Sequence, residues 1–314
     1  LGPTLFGKQF GETKFSVKLL PFGGSCMMLG EEEDIADDSS FSRKSVYARM
    51  AIIFAGPFFN FILAFIFSVI LTAVMGYQSP QITVVADNTP AQKSGLQVGD
   101  VVKEINGKTM TIDGDISLYT AYYGFPKGED VTMVVERDGQ EKTIVMKPEL
   151  MKDASGNENY RIGINHGKWE KVGILGNLKY STYEMKYWIE TVVKSLQGLV
   201  TKRFKASDVS GPVGIVSTMG KNIEASGDKD NGGGPGMMVM SMIYWCIMLS
   251  ANLGVMNLLP IPALDGGRLL FLIIEWIRRK PMNPKYEGYV NMAGFMLLML
   301  LMVVILGHDI INLF

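Results

Sequence analysis

The stretch Asn257-Leu258-Leu259-Pro260-Ile261-Pro262-Ala263-Leu264-Asp265-Gly266-Gly267-Arg268 follows directly on an uncharged apolar run that begins at Met237. Pro260 and Pro262 lack a backbone N–H and end any helix that reaches them. Non-helical backbone at membrane depth is tolerated only where it is buried in protein or lines a wet cavity. A carboxylate there is costly unless it is paired, so Asp265 is a candidate functional residue whose natural partner is a cation or metal. Gly266-Gly267 would allow close backbone approach and let a helix restart at Arg268. The same Asp-Gly-Gly also reads as a plain helix N-cap, and from these residues alone both readings stand.

Working outward, the run from Met237 to Leu259 reaches roughly 34 Å as a helix, enough to cross a bilayer. A second apolar run, Met50 to Met75, is interrupted only by Gly56-Pro57 and Asn60 and reaches roughly 39 Å. A third, Met292 to Leu306, is short but extended by its flanks. Leu269 to Ile277 carries Glu275, is flanked by Arg268 and Arg278-Arg279-Lys280, and reads as a segment at the membrane face. Arg43, Lys44 and Arg49 before the first span, and Arg278, Arg279, Lys280 and Lys285 before the third, place both flanks in the cytoplasm. Residues from about 78 to 236 then lie outside the cell membrane.

Composition agrees. Hydrophobic residues make up 47% of the 314 residues and charged ones 19%, with a mean hydropathy of +0.18. A net charge of −1 gives no pull toward polyanions, so a nucleic-acid partner is not expected. Cys26 and Cys246 are too few for a disulfide framework or a Cys-rich zinc site. With two His, His166 and His308, a histidine metal site within this chain is incomplete. His166, beside Asn165 and Gly167, reads as a turn residue, and His308 as an interfacial anchor.

The outer segment opens with a small β-rich unit. Residues 82–85, 101–105, 131–136 and 142–146 alternate as half-buried strands do, and Arg137-Asp138-Gly139-Gln140 reads as a hairpin turn. Leu178 to Phe204 is amphipathic and aromatic, which suits either an interfacial helix or a helix packed on the β-rich unit. Lys221 to Gly236 is rich in Gly, Asp and Asn and reads as a flexible lead into the next span.

The stretch from Thr89 to Asp100, with Ile105-Asn106-Gly107-Lys108, resembles a PDZ domain of the bacterial protease type. Such a domain can add a peptide to a sheet edge, or act only as a steric filter or spacer. The Asn257–Gly267 stretch is very similar to the NxxPxPxLDGG motif of the site-2 protease family of intramembrane zinc metalloproteases, in its bacterial RseP-type branch. Gly56-Pro57-Phe58-Phe59-Asn60 is similar to that family's GPxxN element, and Ser210 to Ile215 to its GPVGI segment. Residues 1–24, ending in Leu19-Leu20-Pro21-Phe22-Gly23-Gly24, resemble its membrane-associated β-loop. The resemblance implies an α-helical polytopic membrane protein with an inserted extracytoplasmic PDZ domain of β-rich α+β type. Its parts are a cytoplasmic-side β-loop and linker (1–49), a transmembrane helix (50–76), the PDZ domain (80–149), and a juxtamembrane region with an amphipathic helix (150–236). The LDGG-bearing transmembrane helix with a following short helix (237–280) and a last transmembrane helix (288–314) complete it.

The resemblance also implies roles. Asp265 falls on a Zn²⁺ ligand; Asn257 and Asn252 fall on positions that hold the substrate strand or the oxyanion, though both also read as polar contacts between helices. Gly23, Gly24, Pro260 and Pro262 fall on substrate-binding backbone. The implied activity is that of a zinc metalloendopeptidase of the inner or plasma membrane. Its substrates would be transmembrane proteins, anti-sigma-factor-like or signal-peptide-like, cut inside the lipid bilayer. The family's HExxH, two zinc-binding His around a general-base Glu, is absent from this sequence. Together with Leu1 in place of Met, that absence reads as a chain that starts after the HExxH helix and is inactive alone. The alternative is a non-catalytic scaffold bearing a PDZ domain; a transporter is disfavoured because no inverted repeat is present.

Overall fold

The computed structural model describes residues 3–19, 28–30, 37, 39–152, 158–203, 211–228, 232–280, 282 and 284–313. The membrane portion rests on α1 (Val46–Met75), whose Ser45 hydroxyl accepts the Ala48 N–H at 3.3 Å and fixes the helix start. The chain ends with α6 (Pro235–Asn257), the shorter α7 (Asp265–Arg278) and α8 (Pro284–Leu313). Among the described residues, three helices are long and apolar enough to cross a membrane: Val46–Met75, Pro235–Asn257 and Tyr286–Gly307.

Small residues let α1 and α6 approach closely. Ala64 and Ala251 are fully buried in a shared core with Leu71, Ile247 and Trp188, and a Cβ on Gly254 would lie 2.6 Å from the Phe61 ring. Lipid offers no hydrophobic drive for helix association, so such close packing carries the contact. Along the first turns of α1 runs α7, antiparallel to it. Tyr47 meets Trp276, Arg49 pairs with Glu275, and Gly56 meets Asp265. The segment after Arg268 thus packs along the start of α1, and the Arg49–Glu275 pair satisfies its buried carboxylate.

The β-rich module begins at β3 (Tyr77–Val85), immediately after Gly76 ends α1 with φ 90°. It continues through α2 (Pro90–Lys93), β4 (Val101–Ile105), β5 (Lys108–Thr109), α3 (Asp113–Tyr122), β6 (Val131–Arg137) and β7 (Gln140–Met146). The sheet order is β10-β3-β4-β6-β7, where β10 is Ile164–Glu170. The sheet is thus wider than the 80–149 stretch, and His166, expected in a turn, sits on its edge strand. Ile164-Asn165-His166-Gly167 lacks the alternation that marks the other strands. The β6–β7 hairpin turns at Asp138 (φ 55°) and Gly139 (φ 75°), a conformation that matches strand twist. Alternate residues Val131, Met133 and Val135 are fully buried in the module core with Ile82, Val102 and Ile105.

Asp100, 1% exposed, accepts from Arg137 Nε and Nη2 at 2.6 Å each and from the Gln97 N–H at 2.9 Å. Burial pushes its carboxyl up, but these donors prevail and hold it below the usual range. Arg137→Met would leave that charge buried without its partner. It is expected to lower module stability by about 3–5 kcal/mol, measured by urea unfolding.

Before α1, β1 (Thr4–Phe10) and β2 (Thr13–Lys18) form an antiparallel hairpin, with Phe6, Phe10, Phe15 and Val17 exposed on one face. Gly23 and Gly24 lie outside the described residues. After the module, a small hairpin, β8 (Glu149–Lys152) with β9 (Glu158–Arg161), precedes β10. The amphipathic α4 (Ile174–Val200) then packs on α1, α6 and α3, so it joins the β-rich module to the long apolar helices. Part of the expected flexible lead is instead helix α5 (Pro212–Gly227). Its N-terminus is capped from far away: Asp309, near the end of α8, accepts the Gly211 and Gly214 N–H groups at 3.0 Å each. Asp309→Ala is expected to cost about 1–2 kcal/mol and to raise amide exchange in the first turn of α5.

Candidate active site

The site is built around the break between α6 and α7. Leu258 and Leu259 donate to the carbonyls of Val255 and Met256 at 3.1 Å each, so the last turn of α6 tightens before Pro260 stops it. The chain crosses Pro260 to Pro262 without helical bonds, passes Ala263 at φ 73°, and restarts at Asp265 with Gly267 donating to the Leu264 carbonyl at 3.0 Å. A Cβ on Gly266 would lie 2.2 Å from the Leu259 oxygen and 2.4 Å from the Leu258 oxygen; one on Gly267 would lie 2.4 Å from the Ile261 oxygen. The two glycines are therefore required because the loop folds back over the start of α7, a contact between backbones and not a matter of φ.

Asp265 is the first residue of α7 and half-buried. Its Oδ2 lies 3.3 Å from the place a Cβ would take on Gly56 of α1, so a larger residue there would press on the carboxylate. Gly56 is seven residues beyond Arg49, which puts Asp265 about 10 Å deeper along α1 than the Arg49–Glu275 pair. The pair is nearly buried, with side chains 14% and 11% exposed, and Arg49 bonds both carboxylate oxygens of Glu275.

The loop's outer side is held by α8. Asn291 Oδ1 accepts the Ala263 N–H at 3.3 Å, and a Cβ on Gly294 would lie 2.4 Å from Pro262 Cβ. Asn291, Gly294, Arg49 and Glu275 were not legible as site residues: each acts through a contact more than 20 residues away. Asn257 ends α6 beside the break, and Asn252 lies five residues earlier, about 140° around the helix at 100° per residue. Both are half-buried, and they do not share a face. Pro262 is half-buried in the loop and Pro260 exposed on it.

Among the described residues, no three His, Cys, Asp or Glu side chains converge on one point. His166 lies on β10 in the outer module, and His308 lies in the last turns of α8, far along that helix from Asn291. Asp265 is thus a single metal donor, and the described residues do not by themselves fit a catalytic zinc.

A half-buried carboxylate opposite a helix glycine, set at a proline break just after an apolar helix of spanning length, fits a polar centre in a membrane protein. Peptidase family M50 matches residues 1–301, and the chain belongs to that family. It is 36% identical over 311 residues to a putative zinc metalloprotease of Clostridium acetobutylicum, which covers 99% of this chain and 86% of that protein. It is 33% identical over 312 residues to a putative zinc metalloprotease of Clostridium perfringens, covering 99% and 88%. To the regulator of sigma-W protease RasP of Bacillus subtilis it is 38% identical over 311 residues, covering 98% and 69%. The expectation of a membrane metalloprotease of the site-2 type agrees with these relatives.

Proposed function

We propose that the chain supplies the aspartate-bearing part of an intramembrane zinc endopeptidase, acting on transmembrane segments of other proteins. The observation that carries this reading is the place of Asp265: at the restart of a broken helix, against Gly56, about 10 Å inward of the Arg49–Glu275 pair. Asp265 is the zinc donor in this reading. Asn257 and Asn252 are substrate-positioning groups, and the Pro260–Ala263 loop, exposed at Pro260 and Ala263, is where an unwound substrate strand would pair. Gly23 and Gly24 are proposed as further strand-pairing backbone. The apolar face of the β1–β2 hairpin suits contact with lipid on the cytoplasmic side.

The β-rich module is proposed as an extracytoplasmic PDZ domain. Its edge strand β10 and α3 border an open groove of about 760 Å³, which supports access control or peptide capture above the membrane. The relative named as a regulator of sigma-W protease is compatible with anti-sigma-factor-like transmembrane substrates. A second reading, a non-catalytic scaffold, is favoured by the single donor among the described residues. Zinc analysis separates the two. The 314 residues alone are expected to hold zinc weakly, because one carboxylate is a poor site. With an HExxH-bearing helix co-expressed, about one zinc per chain is expected, and no gain in zinc would favour the scaffold.

A further inference from the structure

The contact between the β-rich module and α4 is not used by the proposed chemistry, and its polar groups are unevenly placed. α3 lies against α4 with its first turn on Tyr187: a Cβ on Gly114 would be 2.9 Å from that ring. At the far end of α3, Lys194 of α4 sits over the Tyr122 ring at 4.8 Å and bonds the Tyr123 hydroxyl at 3.2 Å. Cations therefore mark one end of the interface and carboxylates the other.

At the acidic end, a cavity of about 80 Å³ is enclosed between the module, α1, α4 and α6. Glu184 of α4 and Asp113 of α3 line it. From β10, His166 Nδ1 meets Asp113 Oδ1 at 2.5 Å, and Glu170 faces Tyr77. On α3, Asp115 accepts from the Thr111 and Ile112 N–H groups at 2.7 and 3.0 Å. On α4 itself, Lys186 and Glu190 lie near Asp115. The remaining titratable neighbours are tyrosines: Tyr77 of β3, Tyr180 and Tyr187 of α4, and Tyr244 of α6. Undocking the module would take the half-buried Glu184 away from Asp113 and Asp115.

We propose that Glu184 is a proton-controlled latch, which fastens the module onto α4 when protonated and loosens it when ionised. Burial pushes the Glu184 carboxyl up to about 7 from the ordinary 4.5, and the Asp115 and Asp113 charges add to the rise. Burial lifts Asp115 as well, against its two backbone donors. Tyr187 is pushed up to about 12 by burial and stays neutral in this range. Because the docked value of Glu184 is raised, its contribution is full below pH 4.5 and is lost as pH rises toward 7. Acid thus closes the junction through which the module is positioned over the membrane helices.

Amide hydrogen exchange on the whole chain in lipid nanodiscs tests this, with rates corrected for the intrinsic effect of pH. Exchange in α3 and β10 is expected to rise on the order of tenfold between pH 5.5 and 8. Glu184→Gln should remove most of that rise while keeping the low-pH protection, and His166→Asn should retain the rise. A wild-type chain with no rise, or a Glu184→Gln chain with the full rise, would overturn the latch. Loss of the rise in His166→Asn alone would place the titration on His166 and equally overturn it. If Glu184→Gln does not fold, Asp115→Asn takes its place: the rise should persist in it and in His166→Asn, and loss of the rise in either would overturn the latch.

Discussion

Asp265→Ala is expected to remove zinc binding and to lower peptide cleavage by at least about 10³-fold, in the protein supplied with an HExxH-bearing helix. A catalytic metal contributes several kcal/mol to the barrier, and each 1.36 kcal/mol is tenfold in rate. The fold should survive, because Asp265 stands at a helix start and not in the α1–α6 core. Far-UV circular dichroism and the thermal midpoint should stay close to wild type, so loss of activity with an unfolded protein would not count as support. Asp265→Glu keeps the charge but lengthens the side chain toward Gly56, where a Cβ position is already 3.3 Å from Oδ2. Partial zinc binding with activity still reduced on the order of 100-fold is expected for it.

The second large effect is expected at the glycines. Gly266→Ala places a methyl 2.2 Å from the Leu259 oxygen, and Gly267→Ala places one 2.4 Å from the Ile261 oxygen. Backbone cannot give way there without moving the Leu258–Leu264 loop, because Asn291 and Gly294 of α8 hold its other side. Each substitution is expected to cost about 1–3 kcal/mol and to lower activity on the order of 100-fold, because a displacement near 1 Å misplaces Asp265. Cleavage assays and thermal unfolding measure both. Gly288→Ala, on α8 with nothing within 4 Å of the new methyl, should leave both near wild type.

What was legible in the sequence follows from the range of the forces involved. The Val131–Met146 hairpin was readable because alternation and an Asp-Gly turn act over neighbouring residues. The break after Asn257 was readable because proline stops a helix locally. The depth of Asp265 was not, since it depends on Gly56, more than 200 residues earlier in the chain. The pairing of Glu275 is not legible either, because its partner is Arg49, which the sequence marks only as a flanking cation. The same holds for α5, whose composition reads as loop while Asp309 supplies the cap from the last helix. Strand β10 is not legible because Gly167 breaks its pattern, although its pairing with β3 adds an edge strand to the sheet. The LDGG glycines were singled out by resemblance; the carbonyls of Leu258, Leu259 and Ile261 give the physical reason.

As proposed, zinc held with the help of Asp265 would cut peptide bonds inside the bilayer. Mapping the scissile bond tests it most directly. The protein, co-expressed with an HExxH-bearing helix, is reconstituted in liposomes with a single-span substrate, and the products are sized by mass spectrometry. The expected result is cleavage within the apolar segment, on its cytoplasmic half at about the depth of Gly56, and none with Asp265→Ala. Cleavage confined to the water-exposed flanks, or undiminished cleavage by Asp265→Ala, would contradict it.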